Sequence, residues 1–117
     1  MDTPLKLETE VHEGILVVSV TGRIDTTSVD SFHSAVDRQL QDAEAGFVVD
    51  CSDLLYISSA GLRSILLHAK TASKRNVQFV LCCLPNTIKE IVRIAGFDRI
   101  ITIRETRAQA TAFIKAS

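Results

Sequence analysis

DCSDLLYISSAGL, residues 50–62, marks the point at which an apolar strand gives way to an amphipathic helix. Upstream, residues 46–49 form the continuous apolar run of a buried strand. Downstream, apolar residues recur at the three- and four-residue spacing of a helix face, at Leu62, Ile65, Leu66 and Ala69. The hydroxyl pair Ser58 and Ser59 therefore lies at a predicted helix N-terminus.

A serine at a helix N-terminus has two uses. The backbone N–H groups there have no partner within the helix, so the hydroxyl of a serine commonly accepts a hydrogen bond from one of them. The same N–H groups and the positive end of the helix dipole also stabilise an anion such as phosphate. Local sequence alone favours the capping role. A catalytic role is disfavoured, because no histidine is placed to activate either hydroxyl.

Composition limits the classes of function that remain. The chain has 117 residues, of which 46% are hydrophobic, and this favours one compact domain over residues 1–117. Its 13 basic and 14 acidic residues leave no excess of positive charge for binding nucleic acid. The apolar runs are too short to cross a bilayer, and the start of the chain lacks a signal-peptide pattern. We expect a cytoplasmic protein without membrane insertion.

The residues that most often bind metals are sparse. Three cysteines lie in or beside apolar strand segments and lack CxxC spacing, and we interpret them as core thiols: Cys51, Cys82 and Cys83. Three histidines are scattered over a predicted turn and two helices, without HxxxH or HxH spacing: His12, His33 and His68. We therefore predict no metal site and no cofactor.

Hydrophobic periodicity predicts the elements of the first half. Apolar and polar residues alternate over residues 5–11, and after a short break at residues 12–14 an apolar run follows over residues 15–20, which together are typical of a β-hairpin. Residues 29–40 have the spacing of a helix, and Thr27 with Asp30 provides a cap-like start.

The second half continues the alternation of strand and helix. Residues 77–82 indicate a buried strand, and residues 87–90 form a capping box before a helix that Gly96 ends. Residues 100–103 predict a short last strand. Thr106 with Gln109 opens a terminal helix, for which we expect three residues to face the sheet: Ala108, Ala112 and Phe113.

This order of elements predicts the fold class. Connections that run from strand through helix to strand join parallel strands with a right-handed crossover. The chain should therefore form a single α/β domain. We expect a mixed, mostly parallel sheet of about five strands, with an antiparallel hairpin at its start and about four helices.

Three segments resemble a known family. TGRID at residues 21–25, VDCS at residues 49–52 and YISSAGLR at residues 56–63 look like the STAS domain, the fold of anti-sigma factor antagonists. The resemblance spans essentially the whole chain, including the order of its elements. SSAGL at residues 58–62 is its most specific part.

The resemblance implies a regulatory protein rather than an enzyme. In this family, the unphosphorylated antagonist binds an anti-sigma serine kinase with a histidine-kinase-like ATPase fold, which releases the sigma factor. The kinase then phosphorylates a serine at this helix start, and a PP2C-type phosphatase resets the switch. Carried over to this sequence, the acceptor is Ser59, and the partner-binding residues are Gly22, Asp25, Ser58, Ser59, Ala60, Gly61 and Arg63.

The sequence departs from the family pattern at one position. Many members have aspartate where this chain has Ser58, so the acidic neighbour that could align the acceptor hydroxyl is absent. This change bears on the rate of phosphorylation and on the choice of kinase. It also makes Ser58 the second choice of acceptor.

Three other interpretations remain. A receiver domain phosphorylated on Asp50 would need an acidic pair after its first strand to hold Mg²⁺, and the sequence has none. An enzyme would need a phosphate loop or a nucleophile elbow, and neither motif occurs. The third is a STAS module of another assembly, either a stressosome-type scaffold or the cytoplasmic subunit of a lipid ABC transporter.

Overall fold

Five strands and four α-helices alternate along the chain in a computed structural model that describes residues 4–117. The elements, in order, are β1 Lys6–His12, β2 Ile15–Ile24, α1 Val29–Leu40, β3 Gly46–Ile57, α2 Ser59–Lys74, β4 Gln78–Cys82, α3 Asn86–Ile94, a 3-10 turn at Phe97–Arg99, β5 Thr102–Arg104 and α4 Arg107–Lys115. Within the described part of the chain, no helix is both long and apolar enough to cross a membrane.

The strands form one mixed sheet in the order β1-β2-β3-β4-β5. β1 and β2 pair antiparallel as a hairpin, and the other neighbouring strands pair parallel through helical crossovers. This arrangement confirms the predicted fold class, including the number of strands and helices.

The two faces of the sheet are covered differently. Alternate residues of β3 point to opposite faces, so Phe47 and Val49 join the main core while Val48 lies on the other side. The main core packs against α1, α2 and α3, whereas the second, smaller cluster packs under α4. α1 and α2 therefore lie together on one face of the sheet, and α4 covers the other.

Two predicted caps are wrong. α1 is preceded by Ser28 rather than Thr27, because the Asp25 carboxylate accepts hydrogen bonds from the N–H groups of both residues and draws the Thr27 hydroxyl to itself. α3 begins directly after Pro85, whose extended backbone leads into the helix, so Thr87 lies inside the first turn and does not cap it. By contrast, the predicted cap of α4 is confirmed, since Thr106 accepts a hydrogen bond from the Gln109 N–H.

The predicted buried face of α4 is confirmed at Phe113, which is half-buried and packs against the second cluster, and is wrong at Ala108 and Ala112, which are exposed. The residues buried against the sheet are Ala110 and Ile114. The cause is a close approach, because a Cβ atom at Gly46 would lie 2.7 Å from the Ile114 side chain. The absence of a side chain at Gly46 allows Ile114 to lie directly on β3.

An ion pair between the half-buried Arg107 and the buried Asp50 joins α4 to the middle of the sheet. The Arg107 guanidinium donates to the Asp50 carboxylate at 2.8 and 3.0 Å and to the Ser19 hydroxyl at 2.8 Å. Asp50 is only 6% exposed. Burial alone would raise the pKa of the Asp50 carboxyl, but hydrogen bonds from the Ser52 N–H and from Arg107 outweigh it and hold that pKa below its usual value.

Replacing Arg107 should therefore raise the pKa of Asp50. In Arg107→Met, only the hydrogen bonds with Ser52 still oppose burial, so we expect the pKa of Asp50 to be higher than in the parent protein and the free energy of unfolding at pH 7 to fall by about 2 kcal/mol. Because a lowered carboxyl pKa stabilises the fold only above that pKa, the difference from the parent protein should shrink as the pH falls through it. NMR titration and urea unfolding at several pH values measure both effects.

The matched control is Lys115→Met, which breaks the exposed ion pair of Lys115 with Glu13 on the same helix. This variant should leave stability nearly unchanged at every pH. An equally small effect of both substitutions would contradict the role assigned to the pair of Arg107 and Asp50.

Candidate functional site

The hydroxyl and backbone groups of Ser58 are all hydrogen-bonded at the start of α2. Its backbone is extended, and its hydroxyl accepts a hydrogen bond of 3.1 Å from the Gly61 N–H as the N-cap of α2. Its own N–H donates to the Ile24 carbonyl at 2.8 Å, and its carbonyl accepts from the Leu62 N–H. Ser58 is 9% exposed, so its hydroxyl is both occupied and shielded.

Ser59 is the first residue of α2 and is exposed. Among residues 4–117, no group forms a hydrogen bond with its hydroxyl. The first turn of α2 contains no acidic side chain that would repel an anion. The two adjacent serines therefore differ sharply, since one caps the helix from within and the other presents its hydroxyl to solvent.

A glycine allows α2 to begin at this place. A Cβ atom at Gly61 would lie 2.7 Å from the Ile57 side chain and 2.8 Å from that of Ile24, and both isoleucines are buried. Only a residue without a side chain permits the first turn of α2 to contact the ends of β2 and β3 this closely. The bond from Ser58 to the Ile24 carbonyl holds the same contact from the backbone.

β2 and β3 extend together beyond the rest of the sheet. Pairing of β3 with β4 ends at Asp50 and Cys82, whereas pairing of β2 with β3 continues to Ile24 and Ile57. The predicted strand at residues 46–49 is therefore too short, because β3 runs to Ile57. We call the paired segments 21–24 and 53–57 the β2–β3 ribbon.

The ribbon carries an exposed apolar surface beside Ser59. Leu55 is 60% exposed and Tyr56 is 39% exposed, and the Arg23 guanidinium lies 4.4 Å from the centre of the Tyr56 ring. A groove of about 250 Å³ continues from the helix start between α1 and α2, lined in part by Ala60 and Leu67. Apolar residues with a cation–π pair at their edge are typical of a protein-binding surface.

Asp25 lies at the same end of the sheet, one residue beyond Ile24. Hydrogen bonds from Thr27, chiefly from its hydroxyl and then from its N–H, lower the pKa of Asp25, and Ser28 adds to the effect. The Asp25 carboxylate is therefore ionised at neutral pH. The same bonds satisfy the N–H groups that precede α1, so Asp25 also has a structural role at the start of that helix.

The remaining predicted partner-binding residues differ in exposure. Ala60 and Arg63 are exposed on the first two turns of α2. Gly22 and Gly61 are buried, and Gly22 has a backbone φ of 101°, which a side chain would strain. The two glycines shape this end of the fold, whereas exposed side chains are available for contact.

Asp50 does not fit a receiver domain. The sequence placed it at the end of a central strand, but β3 continues for seven further residues to Ile57. Its carboxylate is buried and bound by Arg107, so no open acidic pocket exists there in the described structure. Of the three cysteines predicted as core thiols, Cys51 and Cys82 are buried and Cys83 is half-buried.

The structure also brings together two histidines that the sequence appeared to scatter. The rings of His33 on α1 and His68 on α2 stack with their centres 4.4 Å apart. The two residues are 35 positions apart, so no spacing motif could reveal the contact. Only the packing of α1 against α2 creates it.

Comparison with known proteins agrees with this architecture. The family model described as the STAS domain matches residues 6–110. BtrV of Bordetella bronchiseptica, a candidate anti-sigma factor antagonist, is 31% identical over 113 residues, which is 97% of each chain. The anti-sigma F factor antagonist of Paenibacillus polymyxa is 23% identical and is matched over 91% of this chain and 92% of its own length.

Solved structures show the same fold. An anti-sigma factor antagonist from Mycobacterium paratuberculosis superimposes with a TM-score of 0.89 at 21% identity, covering 98% of this chain and 99% of the other. The phosphorylated form of SpoIIAA from Bacillus gives a TM-score of 0.69 at 16% identity, covering 95% of this chain and 99% of the other. At these identities the two structures establish the fold.

The different roles of the two serines predict different costs of substitution. Ser58→Ala removes the cap of α2 and should lower the free energy of unfolding by about 1 kcal/mol. Ser59→Ala removes a hydroxyl that is exposed and unbonded within residues 4–117, and should change it by less than about 0.5 kcal/mol. Urea unfolding of both variants measures the difference, and equal costs would contradict the assignment of the cap.

Gly61→Ala tests the close approach of α2 to the strands. Alanine in place of glycine inside a helix normally stabilises by about 0.5–1 kcal/mol. Here the clash with Ile24 and Ile57 should reverse the sign and destabilise by about 1–3 kcal/mol. The neighbouring exposed substitution Ala60→Ser is the control and should have little effect on urea unfolding. A stabilised Gly61→Ala variant would rule out the close contact.

Proposed function

The chain belongs to the STAS domain family, and from this premise we propose that it is an anti-sigma factor antagonist that acts in the cytoplasm. In its unphosphorylated form it binds an anti-sigma serine kinase and thereby releases the sigma factor. Phosphorylation at Ser59 ends this binding. The observation that carries the proposal is the contrast between the capped, shielded hydroxyl of Ser58 and the exposed hydroxyl of Ser59.

The helix start can tolerate a phosphate on Ser59 without a change of fold. Phosphate adds about 1.5–2 negative charges and three acceptor oxygens, which the free N–H groups and the dipole of α2 stabilise. Ser59 makes no bond within residues 4–117 that the modification would break, and Ser58 continues to cap the helix. The phosphorylated form of SpoIIAA, which shares this fold, supports such tolerance.

Loss of binding follows from the surface around Ser59 rather than from a rearrangement. The exposed Leu55, Tyr56 and Ala60 offer a partner an apolar surface that the small, neutral Ser59 completes. A phosphate in its middle would have to be desolvated or would hold the partner away, and either costs binding energy. Asp25 at the adjacent strand end adds to the negative field that the phosphate creates.

The phosphoryl-transfer chemistry belongs to the partners in this proposal. We propose a serine kinase with a histidine-kinase-like ATPase fold as the anti-sigma factor and a PP2C-type phosphatase as the enzyme that removes the phosphate. Because Ser58 replaces the acidic neighbour common in the family, the kinase must position the Ser59 hydroxyl with groups of its own. The other proposed contact residues are Gly22, Asp25, Ala60, Gly61 and Arg63.

Phosphosite mapping in native cells tests the proposal. We expect one phosphate per chain, on Ser59, in the parent protein and none in Ser59→Ala. The Ser59→Ala variant should also retain more of a kinase-like partner during copurification, because its binding can no longer be switched off. Intact mass and peptide mapping, with identification of copurified proteins, provide both results.

Ser73→Ala, an exposed serine near the C-terminal end of the same helix, is the matched control and should behave like the parent. A phosphate on Ser58 would overturn the choice of acceptor. Copurification with transporter ATPase and permease subunits, or with a scaffold assembly, and without a phosphate would overturn the antagonist function itself.

A further inference from the structure

Three potential metal ligands converge between α1 and α2, and one of them, His33, also lines the groove that begins beside Ala60. His33 and Asp37 occupy successive turns of α1, and His68 faces them from α2. One ligand atom from each of the three side chains lies within 4.8 Å of the others. His33 and Asp37 are half-buried, so the cluster can be reached from solvent.

A buried nitrogen of His68 has no hydrogen-bond partner among the described residues. The side chain is 1% exposed, and its Nε2 lies 3.1 Å from the His33 carbonyl oxygen. A carbonyl can only accept, so Nε2 carries the proton and Nδ1 has a free lone pair. That Nδ1 is buried and unbonded. An unsatisfied buried acceptor is costly and rare in native proteins, so it calls for a ligand.

The hydrogen bonds of the two rings suit metal binding. The Nε2 of His68 is held by the His33 carbonyl, which leaves its Nδ1 available. The Nδ1 of His33 lies 2.7 Å from the Ser64 hydroxyl, which leaves its Nε2 available. Histidines that bind metals usually anchor their second ring nitrogen on a carbonyl or another polar group, and both rings have such an anchor.

We propose that His33, Asp37 and His68 bind a divalent transition-metal ion of the zinc type, with a fourth position open to water. Two imidazoles and one carboxylate form a common donor set for Zn²⁺. Asp37 has no ion pair or hydrogen bond with another side chain in residues 4–117, so its carboxylate is available. The bound ion would join α1 to α2.

Binding requires a small local movement. The two rings stack with their planes 21° apart, so the lone pairs of their nitrogens lie in nearly parallel planes and do not converge on one ion. Zinc holds its nitrogen and oxygen ligands at about 2.0–2.2 Å. The half-buried His33 ring must therefore turn out of the stack and exchange its bond to Ser64 for one in the new position, while the buried His68 stays in place.

Zinc titration of the untagged, chelator-treated chain tests the proposal. We expect one Zn²⁺ per chain by calorimetry, a rise in melting temperature with Zn²⁺, and visible absorption typical of a tetrahedral site with Co²⁺. Asp37→Asn and His33→Ala alter half-buried positions and should keep the fold. Each should weaken Zn²⁺ binding at least tenfold and abolish the thermal shift.

Two controls distinguish this site from others. His12→Ala removes an exposed histidine of the hairpin, and Cys83→Ser alters a second cluster of possible ligands with Asp50 and Cys82. Both variants should bind Zn²⁺ like the parent. No Zn²⁺ binding by the parent, binding unchanged in Asp37→Asn and His33→Ala, or binding lost in either control would overturn the proposal.

Discussion

The contact of the first turn of α2 with the ends of β2 and β3 is the constraint on which the candidate site depends. It requires a residue without a side chain at Gly61, because Ile24 and Ile57 occupy the space that a Cβ atom would need. The hydrogen bond from the Ser58 N–H to the Ile24 carbonyl stabilises the same contact through the backbone. Together they place the helix start at one end of the sheet.

This constraint gives two adjacent serines different environments. The extended backbone of Ser58 turns its hydroxyl back to the Gly61 N–H, so it serves the helix. Ser59, one residue later, is already helical and points its hydroxyl to solvent. A modification of Ser59 can therefore alter the surface without removing an internal bond, which is the property that a reversible protein switch needs.

Much of the fold could be predicted from the sequence because it depends on local periodicity. The apolar runs, the helix-face spacing and the strand–helix order predict the sheet and its crossovers, and Thr106 was identifiable as a cap. The length of β3 could not be predicted, because the register with β2 shifts between Gly22 and Arg23 and leaves the neighbouring residues Leu55 and Tyr56 both exposed. In a sequence, such a break in the alternation of buried and exposed residues resembles a loop.

The other differences between the sequence-based predictions and the structure arise from tertiary contacts. Ile114 faces the sheet because Gly46 leaves room beneath it, and nothing in the helical spacing of α4 indicates that choice. The contact of His33 with His68 exists only because α1 packs on α2. The candidate switch serine was predictable, since a hydroxyl pair at a helix start is a local feature, but which hydroxyl is exposed depends on the three-dimensional structure of the cap.

The most direct test of this account compares two chains with genetically encoded phosphoserine, one at position 59 and one at position 58, by their amide NMR spectra. Phosphoserine at position 59 should keep the spectrum of the folded protein, with changes limited to the first turn of α2 and the adjoining ends of β2 and β3. Phosphoserine at position 58 should disturb the helix start and the core beneath it, because the phosphate displaces a buried cap. Widespread changes from the phosphate at position 59, or equal tolerance of both, would contradict the account.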